Sequence, residues 1–272
     1  MRYSSQTDYG KLIRLHDEAD FVAMRIAGMI AADTLDFIEP FVQQGISTAE
    51  LDKLCEQFMR AAGSIPATID YHGYKHATCI SINHVVTHGI PSLSVILKPG
   101  DILNIDVTPR IDGWHGDSSR TFKVGAVSVL ADRLVKSAYD AMMAGIAQVR
   151  PGARLGDIGA AIEAVARPAG FTSVRDFCGH GVGQVFHDTP QVLHYGMRGT
   201  GIVLEPGMFF TIEPMLNAGG HQVKVLDDGW TTVTMDHSLS AQFEHSIGVT
   251  ETGAEIFTSS RALRDTQLFN RT

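Results

Sequence analysis

Cysteine is scarce in this chain of 272 residues, which contains only Cys55, Cys79 and Cys178. The three are far apart in sequence and never form a CxxC pair. The sequence therefore excludes a disulfide framework and a structural zinc site built on cysteines. Such cysteine usage is typical of a reducing compartment, and we expect a cytoplasmic protein.

Long apolar runs and an excess of basic residues are also missing. The longest apolar stretch, at residues 21–32, is interrupted by Arg25 and is too short to span a bilayer. Residues 1–16 lack the apolar segment of a secretory leader, so we expect none. With 22 basic against 30 acidic residues, the net charge of −8 argues against a general nucleic-acid binder.

Two helices are predicted near the start of the chain. Apolar residues recur at helical spacing from residue 17 to about 42, with a break near the end at Pro40. A second helix is predicted over 48–62, because Ser47 and Glu50 have the spacing of a capping box.

An internal repeat links the two halves of the chain. Residues 42–63 resemble residues 149–170 at an offset of 107, with six identical positions, where ordinary composition would give about one or two. The same offset later pairs Asp106 with Glu213. We therefore predict a helix-plus-sheet unit that occurs twice in one pseudo-symmetric domain, with an acidic residue at the equivalent point of each copy.

Residues 101–124 are predicted to form two strands joined by a tight turn at Asp112-Gly113. In the register set by this turn, Asp106 and Asp117 are diagonal neighbours on one sheet face, with Cβ atoms roughly 7 Å apart or closer. A bulge at Pro109 would shift that register.

Glu213 and Glu244 also lie in segments that resemble buried strands. For any single acid in such a segment, solvent exposure is the common alternative. Ionised carboxylates can be buried side by side only if a cation neutralises them or one keeps its proton. Four such acids therefore predict either a metal site or a carboxylate dyad.

A glycine-rich segment at 176–190, DFCGHGVGQVFHDTP, contains His180 and His187. A phosphate loop is the competing interpretation, but no helix start follows the glycines. Four carboxylates alone would form a hard oxygen site, and one imidazole shifts the preference towards manganese, iron, cobalt or zinc. Five ligands are too many for one ion, whereas two ions that share bridging carboxylates fit them. Cys178 receives no role.

Taken together, these motifs resemble the type I methionine aminopeptidases over residues 17 to about 256. The matching segments, in the family's order, are YHGYKHATCISINHVVTHGIP, LNIDVTPRIDGWHGDSSRTF, FCGHGVGQVFHDTPQVLHYG, FTIEPMLNAG and DGWTTVTMDHSLSAQFEHSI. The resemblance implies an α/β (α+β) pita-bread fold: a single domain with a pseudo-two-fold duplicated helix-plus-antiparallel-sheet unit. The expected divisions are an extension at 1–16, a catalytic domain at 17–258 with halves of about 17–125 and 126–258, and a tail at 259–272.

The resemblance also implies a set of functional residues. Two divalent ions (Co, Mn, Fe, Zn or Ni) would be bound by Asp106, Asp117, His180, Glu213 and Glu244. The catalytic groups would be His88, His187 and Glu213. Besides the two histidines, the substrate would contact Tyr71, Tyr74, Cys79, Phe186 and Trp230. A monovalent cation, Na⁺ or K⁺, would be bound at Asn83, Val85 and Ser240.

The implied function is metal-dependent removal of the N-terminal methionine from nascent chains whose second residue is small. We expect a monomer that acts near the ribosome, without membrane or specific nucleic-acid partners. The alternatives are an Xaa-Pro or creatinase-like hydrolase and a non-catalytic pita-bread binding protein. His84 and Thr87 replace the acidic residue and the cysteine that are frequent in the family, and we expect them to alter the rim of the pocket.

Overall fold

A computed structural model describes residues 2–262. Its α-helices are Glu18–Ile38 (α1), Thr48–Ala61 (α2), Val129–Ile146 (α3) and Leu155–Ala166 (α4), and its 3₁₀ helices are Glu39–Phe41 and Tyr71–Gly73. No helix within this range combines the length and the apolar character that crossing a bilayer would require. Most of the predicted tail, from residue 263 onwards, lies outside the described residues.

The strands form small antiparallel sheets. In chain order they are Arg2–Asp8 (β1), Lys11–Leu15 (β2), Ile65–Pro66 (β3), Thr78–Ile82 (β4), Val85–Thr87 (β5), Ile102–Val107 (β6), Pro109–Ile111 (β7), Trp114–His115 (β8), Ser118–Lys123 (β9), Thr172–Ser173 (β10), Gly179–Gly181 (β11), Asp188–Val192 (β12), Phe209–Ile212 (β13), Met215–Asn217 (β14), Val223–Val225 (β15), Thr232–Thr234 (β16), Ser240–Gln242 (β17), His245–Val249 (β18) and Ala254–Ile256 (β19). The first half is built on the sheet β4-β6-β9, and the second half on the sheet β12-β11-β13-β18-β19.

Both predicted helices are present with small changes in length. The first ends at Ile38 rather than near residue 42, and a 3₁₀ turn follows that contains Pro40 near its start. Proline lacks the N–H that an α-helix would need there. At the second helix, the Ser47 N–H donates to Glu50 Oε2 at 2.9 Å and the Glu50 N–H donates to Ser47 Oγ at 3.2 Å, so the predicted capping box is confirmed.

The internal repeat is confirmed in the backbone. At the offset of 107, the first residue of α2 corresponds to the first residue of α4, and the first residue of β6 corresponds to that of β13. Glycines at three equivalent pairs of positions share left-handed φ angles: Gly45 and Gly152 (92° and 82°), Gly63 and Gly170 (79° and 82°), and Gly100 and Gly207 (92° and 93°). The two copies therefore use the same turns to enter and leave the same elements.

Each half has its own hydrophobic core, and hydrogen bonds join the two halves. Leu51 of α2 packs in the first core with Ile105 of β6, and Ile158 of α4 packs in the second. Where the halves meet, Ser118 Oγ donates to the Glu244 carbonyl and Ser246 Oγ donates to the Asp117 carbonyl, both at 2.7 Å. These bonds bring the segments of Asp117 and Glu244 together.

The predicted register of residues 101–124 is confirmed, but the two long strands are not continuous. Asp106 pairs with Ser119, and the register is unshifted at Pro109. The structure has four shorter strands, because β7 and β8 separate from β6 and β9 and join β3 in another sheet. At the break, Gly116 packs so closely on α1 that an added Cβ would lie 2.1 Å from the Ala27 carbonyl oxygen.

The hairpin β1-β2 packs onto the second half. Ile13 has no exposed surface and belongs to the larger core. Thr189 Oγ1 donates to the Leu12 carbonyl at 3.0 Å, and the Gln191 N–H donates to Asp8 Oδ2 at 2.7 Å. The hairpin therefore contacts the strand that follows His187.

Candidate active site

A cavity of about 570 Å³ contains the side chains that the sequence analysis singled out. It brings together all of the predicted divalent-metal, catalytic and substrate-contacting residues, namely Tyr71, Tyr74, Cys79, His88, Asp106, Asp117, His180, Phe186, His187, Glu213, Trp230 and Glu244. The predicted monovalent-cation positions do not line this cavity.

The five proposed ligands lie at or next to strands of the two central sheets. Asp106 is in β6 and His180 is in β11, Asp117 immediately precedes β9, Glu213 immediately follows β13, and Glu244 immediately precedes β18. At such strand ends, backbone and side chain leave the regular ladder and can turn towards the cavity. Asp117 and Glu244 are buried, with 4% and 2% of their surface exposed.

The nitrogen Nε2 of His180 faces carboxylates from both halves. It lies 3.5 Å from Asp117 Oδ2 and 3.6 Å from Glu213 Oε1. Ligand atoms of Asp117, His180 and Glu244 all lie within 4.8 Å of one another. Two atoms bound to one ion at about 2 Å each lie roughly 3–4 Å apart, so the two His180 distances fit ligands of one ion.

The protonation of His180 also fits a metal ligand. Its Nδ1 is 3.0 Å from the Gly181 carbonyl oxygen, which can only accept, so Nδ1 carries the proton and the Nε2 lone pair points at the carboxylates. Burial lowers the pKa of His180 to about 4, which keeps the ring neutral. A lone pair beside ionised carboxylates is repulsive unless a cation lies between them, so the donor set fits a divalent metal.

The carboxylates are held in an environment that disfavours their charge. Burial raises the pKa values of Asp106, Glu213 and Glu244 well above the ordinary range, and the neighbouring Asp117 raises each of them further. Burial raises the pKa of Asp117 itself to about 7. A bound cation would reverse this effect, because it stabilises the ionised forms.

Two threonine hydroxyls orient these ligands, and the sequence analysis did not assign them. Thr108 Oγ1 donates to Asp117 Oδ1 and Thr211 Oγ1 donates to Glu213 Oε1, both at 2.7 Å. Thr211 Oγ1 also accepts the His180 backbone N–H at 3.0 Å. The available signal was position: Thr211 lies two residues from a buried acid, which in a strand places both side chains on one face.

Other supporting residues carried no clear sequence signal. Gln242 Nε2 donates to Glu213 Oε2 at 3.2 Å, and the Glu213 N–H donates to Nε2 of the fully buried His194 at 3.1 Å. Cys178, which received no role, lines the cavity beside Phe177. These contacts join residues far apart in the chain, so local patterns do not reveal them.

His187 lies beside His180, one of the proposed metal ligands, and His88 lines the same cavity. The His187 ring centroid is 4.2 Å from that of His180, and its Nδ1 is 2.9 Å from the Tyr71 hydroxyl. Burial and neighbouring histidines lower the pKa of His187 to about 3, and burial lowers that of His88. The His88 backbone is left-handed, with φ 57°.

Aromatic side chains form the apolar wall of the cavity. Tyr71 and Phe186 have ring centroids 4.9 Å apart, and Tyr74 meets the Trp230 ring at the same distance. Cys79 is buried, and burial raises the pKa of its thiol, so it remains uncharged. This wall suits an apolar, polarisable side chain.

The chain from residue 22 to residue 251 matches the model of metallopeptidase family M24. It is 54% identical over 249 residues to a methionine aminopeptidase of Rickettsia prowazekii, and the match covers 91% of this chain and 96% of that protein.

The chain belongs to the methionine aminopeptidases of family M24.

Solved structures of methionine aminopeptidases share this architecture. The crystal structure from Rickettsia prowazekii matches with a TM-score of 0.90 at 54% identity, and the match covers 91% of this chain and 100% of the other. The Thermotoga maritima enzyme matches with a TM-score of 0.89 at 38% identity over 91% and 99% of the two chains. The predicted single-domain pita-bread fold is confirmed.

The predicted enzyme class is confirmed by the same findings. This methionine aminopeptidase is a metal-dependent hydrolase that removes N-terminal methionine. The match covers nearly the whole length of the methionine aminopeptidases named above. It therefore favours this reaction over an Xaa-Pro peptidase or a non-catalytic binding protein.

Proposed function

We propose that this methionine aminopeptidase is dinuclear and that Asp106, Asp117, His180, Glu213 and Glu244 hold both ions. The observation that carries the proposal is the convergence of the unprotonated His180 Nε2 with carboxylates from both halves. When bound, a pair of divalent ions would act as Lewis acids and lower the pKa of water towards neutral. The candidate ions are Co, Mn, Fe, Zn and Ni.

Glu213 would carry the proton during hydrolysis. Its carboxylate receives hydrogen bonds from Thr211 and Gln242, which orient both oxygens. We propose that it takes a proton from the attacking water and transfers it to the leaving amine, because its oriented carboxylate lines the cavity beside His180.

The two histidines would act on the scissile peptide as hydrogen-bonding groups. A neutral His187 donates to the carbonyl oxygen as negative charge develops there. His88 lies on the amide nitrogen side of the bond. Both rings have lowered pKa values and act without a full charge of their own.

The aromatic wall would bind the methionine side chain, with Tyr71, Tyr74, Cys79, Phe186 and Trp230 around the thioether. Sulfur packs favourably against aromatic rings, by roughly 0.3–1.5 kcal/mol per contact. We further propose that the second residue of the substrate is small, as the family resemblance implies.

A monovalent cation is proposed at Asn83, Val85 and Ser240. The Ser240 N–H donates to the Asn83 carbonyl at 2.8 Å, and Val85 begins β5 two residues later. Ser240 Oγ is buried and has no hydrogen-bond partner among residues 2–262, which would suit a Na⁺ or K⁺ ligand.

We propose that the enzyme works as a cytoplasmic monomer on nascent chains near the ribosome. Three free cysteines and a net charge of −8 support a reducing compartment and argue against specific nucleic-acid binding.

Metal reconstitution tests the proposal directly. Chelator-stripped protein is titrated with Mn²⁺, Co²⁺, Fe²⁺, Zn²⁺ or Ni²⁺, and release of the N-terminal residue is measured from Met-Ala-Ser, Met-Lys-Ser and Gly-Pro. We expect activity on Met-Ala-Ser alone and binding of two ions per chain by calorimetry. Asp106→Asn should lose binding, whereas the exposed hairpin variant Asp112→Asn should not. A stoichiometry of one ion, or cleavage of Gly-Pro only, would overturn it.

A further inference from the structure

The Tyr71 hydroxyl makes a hydrogen bond that pocket lining alone does not require. Tyr71 OH and His187 Nδ1 are 2.9 Å apart although the residues are separated by 116 positions. The Tyr71 ring also contacts Phe186, with centroids 4.9 Å apart, so the ring and the hydroxyl have separate partners. The ring can therefore pack in the apolar wall while the hydroxyl forms a hydrogen bond with His187.

The backbone around Tyr71 is constrained. Its neighbours Asp70 and His72 both have left-handed φ angles, 65° and 48°. Such conformations cost roughly 1–3 kcal/mol each in residues with a Cβ, and they persist where surrounding contacts impose them. Here the Tyr71 N–H donates to the Thr68 carbonyl at 3.0 Å, and the Asp70 N–H donates to the Tyr74 carbonyl at 2.7 Å. These contacts therefore hold the backbone at Tyr71 in one conformation.

The direction of the hydrogen bond determines what His187 can do. A neutral imidazole has one N–H and one lone pair, and a hydroxyl can meet either. Among residues 2–262, Nδ1 of His187 is the hydrogen-bond partner of the Tyr71 hydroxyl. If Nδ1 were the donor, the phenolic proton would have no acceptor in the protein.

We propose that Tyr71 is a positioning residue whose hydroxyl donates to Nδ1 of His187 and keeps the imidazole proton on Nε2. This inference rests on the proposed function, in which His187 donates a hydrogen bond to the scissile carbonyl oxygen. In the other tautomer, Nε2 would present a lone pair to that oxygen and repel it. The Tyr71 hydroxyl thus selects the tautomer that can act as a donor.

The test uses Tyr71→Phe in the full, metal-reconstituted chain, because this change keeps the ring and removes only the hydroxyl. We expect kcat for Met-Ala-Ser to fall about 10- to 100-fold, since one oxyanion donor is lost or misdirected in part of the population. We expect KM to change less than about threefold, because the apolar contacts remain. In a His187→Ala background, the same change should cost no further activity.

A spectroscopic measurement distinguishes this role from a structural one. In chain labelled with ¹⁵N-histidine, the ¹⁵N shifts of His187, assigned by their loss in His187→Ala, should show the Nε2–H tautomer. Tyr71→Phe should shift them towards a mixture of tautomers. Tyr74→Phe is the matched control, because its hydroxyl donates to the Thr78 carbonyl at 2.8 Å and should leave the His187 shifts in place.

Two results would overturn the inference: an Nδ1–H tautomer in the parent, or an unchanged kcat in Tyr71→Phe. Failure of the parent to release methionine with any metal would instead overturn the proposed function. The NMR measurement needs no turnover, so the two failures are distinguishable.

Discussion

Thr211→Val probes how the protein prepares a metal ligand. The fully buried Thr211 hydroxyl donates to Glu213 Oε1 at 2.7 Å and accepts the His180 N–H at 3.0 Å. It therefore connects two of the proposed ligands. Valine has nearly the same shape, so the substitution removes the hydrogen bonds and leaves the packing of β13 intact.

The expected magnitudes follow from these two bonds. A hydrogen bond to an uncharged group contributes about 0.5–1.5 kcal/mol, and a buried N–H without a partner costs about 1–3 kcal/mol. We expect the free energy of unfolding of the metal-free protein to fall by roughly 2–4 kcal/mol after partial relaxation. Because the Thr211 hydrogen bond lowers the pKa of Glu213 and metals bind the ionised form, metal affinity should fall about 10- to 100-fold.

Calorimetric titration of chelator-stripped protein with Mn²⁺ and urea unfolding provide the measurements. Thr211→Ser keeps the hydroxyl and should recover most of the metal affinity. Thr34→Val is the matched control, because Thr34 is equally buried and its hydroxyl donates to the Ile30 carbonyl within α1 at 2.7 Å, so it should affect stability alone. Metal affinity of Thr211→Val within about twofold of the parent would refute the reasoning, because a lost ligand-orienting bond should cost more.

Three further predictions concern pH and packing. In chelator, Asp117→Asn should gain stability relative to the parent as pH rises from 5 to 8. The gain should be about 2.7 kcal/mol, because the parent loses about 1.36 kcal/mol per pH unit between pH 5 and its raised folded-state pKa of about 7. Equal pH profiles in thermal melts would count against this. Gly116→Ala should lower the free energy of unfolding by roughly 2 kcal/mol or more in urea unfolding, because the new Cβ would lie 2.1 Å from the Ala27 carbonyl oxygen. Gly253→Ala is the control: its Cβ would have no atom within 4 Å, so the free energy of unfolding should be nearly unchanged. Ile13→Ala should lower the free energy of unfolding by about 2–5 kcal/mol in the same assay, because Ile13 is fully buried in the larger core. A decrease below about 0.5 kcal/mol, which is typical of surface sites, would show that β1-β2 is a dispensable extension.

Features that depend on neighbouring residues could be predicted from sequence. The capping box at Ser47, the turn at Asp112-Gly113 and the pairing of Asp106 with Ser119 all follow from short-range geometry. The duplication was visible because both copies need glycine at the same left-handed positions. Family resemblance then connected distant motifs, and the proposed ligands meet in one cavity.

By itself, the sequence determined the repeat, the local elements and which acidic side chains would be costly to bury. Only the tertiary structure decided which groups form hydrogen bonds. The Thr211 hydroxyl bonds to the Glu213 carboxylate, His194 accepts from the Glu213 backbone N–H, and the Tyr71 hydroxyl bonds to His187. The physical reason is that a hydrogen bond depends on distances of about 3 Å between atoms. Packing of two separate halves sets those distances, and no pattern along the chain encodes them.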